Sequence, residues 1–458
     1  MAVARSSTPG YHAPHQVHGV RVAPRATPLY GAAGGFAMIA AGLFIAYGAL
    51  GSSSTKAVAA TSALAPRAVA ADPAAAKAQL AKRVEVRIGK IAVSRSWAEL
   101  GVVVDEAEAK DPTGALPLRL DLERAQAALR DLKSHHDRAP INAYLDLEQR
   151  KIVDDLPGQG IDLWGSLPRL EAAARAGAST VELLSIAVPA QVTKTSLGID
   201  DISQVLGTFT TKFSVADRER NFNLKLAASK LNGVVMKPGQ ELSFNETVGE
   251  RSEKQGYKVA HVITAGEMVD GLAGGTCQIS TTLFGASFFA GLDIVKTTPH
   301  SRPSVYTPLG FDSTVVWPNT DLKVANPYEF PVAIHYRVAG GEATVEILGK
   351  ARPWDKIVFE RNVLETSPFA TEERLDEDLP LGVTTLDQEG FEGYSLTRYR
   401  RFYKDGKQVK FDKWKVDYKP VTEYVRRGTN PDPNAKMPKE KPHHGPTAPK
   451  SDSFSMSQ

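Results

Sequence analysis

The sequence predicts an α+β protein: an N-terminal transmembrane helix, a small α+β domain, and a mixed α/β domain rich in β-strands that ends in a β extension. Three observations carry this reading. An uncharged apolar run lies near the N-terminus. Helical periodicity comes in short stretches up to about residue 290. Beyond it the chain alternates apolar and polar residues in runs separated by turn residues. The 458 residues are 42% hydrophobic and 23% charged, which suits a globular protein of two or three domains. Lys and Arg number 55 against 52 Asp and Glu, and no dense basic stripe carries aromatics, so nucleic acid is not an expected partner.

Residues 1–29 are polar and are expected to be a disordered cytoplasmic N-terminus. The run Tyr30 to Leu50 is uncharged and near the ~20 residues a bilayer-spanning helix needs. Arg5, Arg21 and Arg25 precede it and only Lys56 follows closely, which places the later domains outside the cytoplasm. The alternative is a cleaved signal peptide, whose apolar region is usually ~7–15 residues. Length favours an uncleaved, single-pass anchor in the cytoplasmic (inner) membrane, with extracytoplasmic or periplasmic domains behind it. Residues 51–79 are rich in Ala, Ser and Pro and form a linker.

Residues 80–195 form the small α+β domain. Asp121 to Leu129 has a helical pattern, Leu167 starts a second helix that Gly177 stops, and Ala143 to Val153 resembles a hairpin. Residues 205–350 form the larger domain. It opens with the strand-like run Leu206 to Phe213, then a helix from Arg220 to Asn232, then a second helix after residue 275, then strands. Residues 351–427 form the β extension, where Asp405-Gly406 between alternating runs signals a hairpin. Residues 428–458, rich in Pro, Lys and His, are expected to be a disordered tail.

Cys277 is the single cysteine, so no internal disulfide forms. It lies in Ala273-Gly274-Gly275-Thr276-Cys277-Gln278-Ile279-Ser280, a Gly-rich turn opening an apolar helix. A helix N-terminus lowers a thiol pKa and offers free N–H groups to an oxyanion. Against this stands a packing role, since free Cys is among the most buried residue types. A Cys nucleophile needs a base. His300, in a loop stiffened by Pro299 and Pro303, is the first candidate; His261 is a weaker one, and His335 within a strand suits structure or surface. Arg302 either holds a substrate carboxylate or pairs with Asp312 or Asp321 to brace the loop. Ser280, Thr281 and Thr282 suit bonding to helix carbonyls or lining a pocket. No residue set has zinc-ligand spacing and no phosphate loop is present, so neither metal nor cofactor is expected.

The runs Pro238 to Asn245, Gly274 to Leu283, His300-Ser301-Arg302-Pro303, Tyr306 to Gly310 and Asp312 to Val315 together resemble the VanW-like family. One departure is Ala273, where the family pattern usually shows a third glycine. Gly160-Ile161-Asp162 and Val188 to Thr193 resemble the peptidoglycan-binding domain that often precedes a VanW domain. The resemblance implies work on the cell envelope and a cysteine L,D-transpeptidase that forms 3-3 cross-links between peptidoglycan stem peptides. Cys277 and His300 are then catalytic. Gly274, Gly275, Thr276, Gln278, Ser280, Ser301, Arg302 and Asp312 bind or orient the substrate and the catalytic groups. The competing readings are a non-catalytic peptidoglycan-binding protein with a structural Cys277, and a wall amidase or peptidase.

Overall fold

The computed structural model describes residues 73–107, 116–264, 267–432, 434–437 and 451–458. The chain divides into two compact units. One comprises the described parts of 25–141 and 156–191, the other those of 142–155 and 192–458.

In the first unit, strand Arg83–Ile88 pairs antiparallel with Ile91–Ser96 and parallel with Thr180–Glu182. The helix expected near Asp121 runs Leu122–His136. Asp121 caps it by accepting from the Arg124 N–H at 3.2 Å. Its buried residues Ala125, Leu129 and Leu132 fall at the spacing of one helical face. The second helix, Leu163–Arg175, starts four residues before the expected Leu167. Asp162 caps it through the Gly165 N–H at 2.9 Å. Gly177 follows it with a φ of +66°. Both helices pack on Trp97, Leu100 and Leu118.

The second unit is built on an antiparallel sheet in the order Gln204–Lys212, Glu342–Gly349, Val332–Ala339, Val235–Met236. Two helices pack on it. Arg218–Leu231 turns Leu224, Ala227, Ala228 and Leu231 inward, with Asp217 as its cap. Thr276–Phe289 is buried on every side except at Cys277. Gly285 lets that helix approach the first strand, because a Cβ there would meet the Phe209 ring at 2.4 Å. Phe284, Phe288, Phe289, Phe311 and Phe359 interlock beneath it, with ring centroids 4.6–6.0 Å apart across the pairs centred on Phe288 and Phe311. Each such buried ring contributes ~1.5–3 kcal/mol.

The hairpin Tyr144–Asp146 with Lys151–Val153 belongs to this second unit, although its place in the sequence put it in the 80–195 domain. Leu145, Leu147 and Ile152 pack with Leu197, Val235 and Leu348. An ion pair from Arg150 to Glu346 and a hydrogen bond between Glu148 and His335 add to that packing.

After residue 355 come two further sheets. One has the order Lys407–Tyr418, Gly393–Lys404, Lys356–Ser367, Ser453–Ser457, and the other Thr371–Pro380, Glu423–Asn430, Thr384–Gln388. Asp405 and Gly406 form the expected hairpin turn, both with positive φ (50° and 72°). The end of the tail is not disordered. Ser453–Ser457 is an edge strand on Lys356–Ser367, and the Gln458 side chain accepts from the Thr208 N–H at 2.9 Å. Phe454 and Met456 alternate along that strand, and Met456 packs against the core.

The expected fold class is corrected in two respects. Among the described residues 25 strands accompany six α-helices, so the protein is mostly β rather than α+β with a mixed α/β domain. Most short turn-bounded runs between residues 320 and 430 became strands, and nearly all pair antiparallel, leaving little need for the helical crossovers of an α/β sheet. Among the described residues, moreover, no helix is long and apolar enough to cross a membrane, so the transmembrane helix of the expected fold has no counterpart. The run 30–50 lies outside the described residues, as do the expected N-terminal segment 1–29 and most of the linker 51–79.

Candidate active site

The site begins at a backbone turn. Ala273 and Gly275 both have positive φ (64° and 101°), and Gly275 is the N-cap residue of the cysteine helix. Glycine takes that φ without steric cost, whereas Ala273 tolerates it under strain. Side chains tie the turn down. The Thr276 hydroxyl donates to the Ala273 carbonyl at 2.7 Å, and the Asn223 amide donates to the Gly274 carbonyl at 3.1 Å. Cys277 follows in the first helical turn, half-buried, its thiol donating to the Val315 carbonyl at 3.5 Å.

The neighbouring polar residues of the helix are structural in their contacts. Gln278 donates to Thr211 and to the Lys212 carbonyl and accepts from Arg220 at 2.7 Å. Ser280 bonds to Ser313 at 3.2 Å, and the Ser313 N–H donates to Thr281 at 3.0 Å. Thr282 donates to the Gln278 carbonyl. These bonds lock the helix onto the Asp312–Ser313 segment.

His300 is 8% exposed and lies close enough to the Cys277 thiol for each to shift the other's pKa. Its other ring nitrogen, Nδ1, lies 2.5 Å from Asp312 Oδ2, and the same carboxylate oxygen accepts from the His300 backbone N–H at 2.7 Å. The Ser304 hydroxyl also reaches Nδ1, at 3.1 Å. With Nδ1 committed, Nε2 is the nitrogen left for the thiol. The second carboxylate oxygen, Oδ1, accepts from the phenol of Tyr418, whose oxygen also takes the Gly310 N–H at 3.1 Å. Arg398, buried beside it, donates to the Gly310 carbonyl at 3.1 Å. Tyr306 stands edge-on to the His300 ring at 6.4 Å.

The charges follow from this chain. Burial alone pushes the Cys277 thiol up, but the hydrogen bond and charge of His300, with Arg251 nearby, outweigh it and hold the thiol below its ordinary value. Burial pushes His300 down, yet Tyr306, Asp312 and Cys277 raise it well above its ordinary value. Burial raises Asp312, and the bonds and charge of His300 together with the Tyr418 bond bring it below its ordinary value. A depressed thiol beside an elevated imidazole favours the thiolate–imidazolium pair near neutral pH.

Sequence candidates fare differently here. Cys277, His300 and Asp312 come together, while Gly274, Gly275, Thr276, Gln278 and Ser280 build the turn and helix that carry the thiol. Ser301 is exposed and makes no bond to the ring; Ser304 takes that place. Arg302 pairs with neither Asp312 nor Asp321 but lies over the Phe391 ring at 4.5 Å. Asp321 instead accepts from Ser243 and from the Asn245 N–H. His335 is buried between Glu346 and Glu148, away from the thiol's bonds. His261 lies on strand Val259–Thr264, and its side chain is outside the described residues. Sequence reasoning missed Ser304, Tyr306, Tyr418 and two arginines, Arg220 and Arg251, that face the thiol. Ser304 and Tyr306 sat within reach of the histidine loop; Tyr418, 106 residues from Asp312, left no local signal. Among the described residues no cluster of His, Cys, Asp or Glu is placed to hold a metal ion.

Residues 219–348 match the family described as VanW like protein, and residues 360–430 match the G5 domain. Uncharacterized protein YoaR of Bacillus subtilis (strain 168) is 32% identical over 229 residues, which is 50% of this chain and 75% of YoaR. Vancomycin B-type resistance protein VanW of Enterococcus faecalis (strain ATCC 700802 / V583) is 34% identical over 110 residues, or 23% of this chain and 40% of that protein. Among solved structures, the G5 domain of IgA1 protease is 21% identical and the HP0197 G5 domain 26% identical. Each matches 16% of this chain, covering 90% and 97% of the respective structures, with TM-scores of 0.12 and 0.10.

Proposed function

The chain belongs to the VanW-like family, and from that premise we propose that it acts on peptidoglycan as a cysteine L,D-transpeptidase, outside the cytoplasmic membrane. A VanW-like domain joined to a G5 domain marks a cell-wall-associated protein. The catalytic step rests on one observation, a buried His300 bonded to a buried Asp312 beside Cys277 at the N-terminus of a buried helix. A thiol kept only for packing needs neither a buried histidine nor a buried carboxylate behind that histidine.

In this reading the Cys277 thiolate attacks the carbonyl that precedes the terminal residue of a stem tetrapeptide. The new S–C bond forms as the carbonyl becomes an oxyanion. The backbone N–H of Cys277, in the first turn where amides lack helical carbonyl partners, is a donor for it. Collapse breaks the amide bond, and the imidazolium of His300 delivers its proton to the departing D-alanine amine. The neutral imidazole then takes a proton from the amine of a neighbouring stem, which attacks the thioester and expels the thiolate. A 3-3 cross-link results and the thiolate–imidazolium pair is restored. Asp312 holds the ring so that Nε2 faces sulfur, and stabilises its charge.

The test is an assay with purified protein and stem peptides. Cross-linked product is expected from the wild type and none from Cys277→Ala, with a nearly unchanged melting temperature. An equally active Ala variant removes the enzyme reading and leaves a wall-binding protein.

A further inference from the structure

Among the described residues, two arginines beside the thiol make no hydrogen bond or ion pair to a carboxylate. Arg220 rises from the first turn of helix Arg218–Leu231 and lies along the Gly275 turn; a Cβ at Gly275 would meet its Cγ at 3.2 Å. It donates to Gln278, the residue after the cysteine, at 2.7 Å. Arg251 also lies near the thiol. It donates to Asn245 at 2.6 Å and to the Gly249 carbonyl at 3.3 Å, with its guanidinium over the Phe244 ring. Asn245 in turn donates to the Val316 carbonyl at 3.4 Å, next to the Val315 carbonyl that accepts from Cys277.

Both guanidiniums lie close enough to Cys277 to feel its charge. Both are only half-buried. The hydrogen-bond partners of both are neutral. The nearest carboxylates are already engaged: Asp217 caps its helix through the Arg220 N–H, and Asp321 accepts from Ser243 and Asn245. A guanidinium has five N–H donors, of which Arg220 spends one and Arg251 two on these bonds. Burial penalises each charge, and the anions that offset it, the Cys277 thiolate with Asp217 for Arg220 and with Asp321 for Arg251, act from a distance without bonding to either guanidinium. An arriving carboxylate would repay both, and the planar fork suits it.

We propose that Arg220 and Arg251 form a carboxylate-binding subsite beside Cys277, which selects acyl donors that carry a free carboxylate next to the scissile amide. This rests on the reading of Cys277 as nucleophile. It assigns the substrate class by charge: an acidic peptide donor, with its amidated counterpart disfavoured.

The single cysteine makes the test clean. Iodoacetate and iodoacetamide alkylate a thiolate by the same displacement of iodide and differ in the carboxylate that only the first carries. The rate ratio, iodoacetate over iodoacetamide, is measured on the full chain and on a free thiol at the same pH and salt. The wild type is expected to exceed the free-thiol ratio by about tenfold, the range of a partly screened charge contact. Arg220→Gln and Arg251→Gln should each lower it severalfold, the ratio cancelling any change in thiolate content that both reagents share, and Arg220→Lys should restore part of it. A wild-type ratio equal to that of the free thiol, or one that neither glutamine variant changes, overturns the subsite. Lack of reaction with either reagent overturns both the subsite and the nucleophile. Selection of iodoacetate by a protein that makes no cross-links sinks the transpeptidase reading and keeps the subsite.

Discussion

The two oxygens of Asp312 face different regions of the molecule. Oδ2 turns to His300, inside the stretch between the Gly-rich turn and Ser313 that supplies the thiol, the imidazole and the carboxylate. Oδ1 turns to Tyr418, at the end of a strand in the G5-matching region. The front of the site is assembled from neighbours in sequence. Its back is supplied by the C-terminal sheets, which also send Arg398 to the Gly310 carbonyl and Arg361 to the Leu309 carbonyl. Arg400 reaches the Leu292 carbonyl at the end of the cysteine helix. The reactive groups are thus local, while the groups that hold them in place are imported. The C-terminal sheets are structural parts of the site and not merely an appended module.

Asp312→Asn tests the front. It keeps the shape but removes the charge that raises His300 and fixes its tautomer. Cross-linking near neutral pH should fall by roughly 10²–10⁴-fold, in the range for an orienting carboxylate of this kind, and thiol alkylation by up to about 30-fold as the thiol returns toward its ordinary value. A fall below threefold would show that the carboxylate serves only the loop.

Arg400→Met tests the back through stability. Arg400 is 1% exposed, pairs with Asp412 at 2.7 Å and donates to Leu292 at 2.7 Å. Its loss strands buried acceptors and should cost about 3 kcal/mol in chemical denaturation. A loss under ~0.5 kcal/mol would mean that the sheets and the cysteine helix are only loosely joined.

Tyr418→Phe joins the two regions. It removes one hydroxyl that serves both Asp312 and the Gly310 N–H. About 1–2 kcal/mol of stability should go, with roughly a tenfold drop in alkylation rate at neutral pH. A stability loss without a rate change would confine the back to scaffolding.

Gly406→Ala is the smallest expected effect. The residue sits at a hairpin tip with φ +72° and open space around it. The cost should be near 1 kcal/mol, with thiol reactivity unchanged.

Acid and base should act on the two sides of the dyad differently. His300, raised in the folded state, contributes stability that is complete below its ordinary ~6.5 and fades as pH climbs through the raised value. Asp312, depressed, contributes above its ordinary ~3.9 and loses that contribution as pH falls through the folded value. Melting temperature measured against pH in wild type and Asp312→Asn should show both limbs in the first and a weakened acidic limb in the second.

How much of this the sequence made legible follows the same divide. The turn, thiol, imidazole and carboxylate were legible because Gly275, Cys277, His300 and Asp312 carry distinctive chemistry within a short span. The turn at Asp405-Gly406 was legible because both residues must take positive φ. The expected ion pair of Arg302 with Asp312 or Asp321 was misread, because the Phe391 face that takes the guanidinium comes from a distant segment of the chain. Tyr418 was invisible for the same reason. The hairpin 144–153 gave its shape by alternation but not its destination, since nothing in a strand pattern names the sheet edge or core it joins. The overall class was misjudged because short apolar runs fit both helix and strand.

The central claim is that Cys277 is ionised by His300 rather than packed as an inert thiol. The direct measurement is the pH profile of Cys277 alkylation by iodoacetamide in wild type and His300→Gln. The account predicts a wild-type apparent pKa below the ordinary ~8.5 of a free thiol, and a return to that value or higher in the variant. An ordinary value in both proteins, or a thiol that does not react in either, would contradict it.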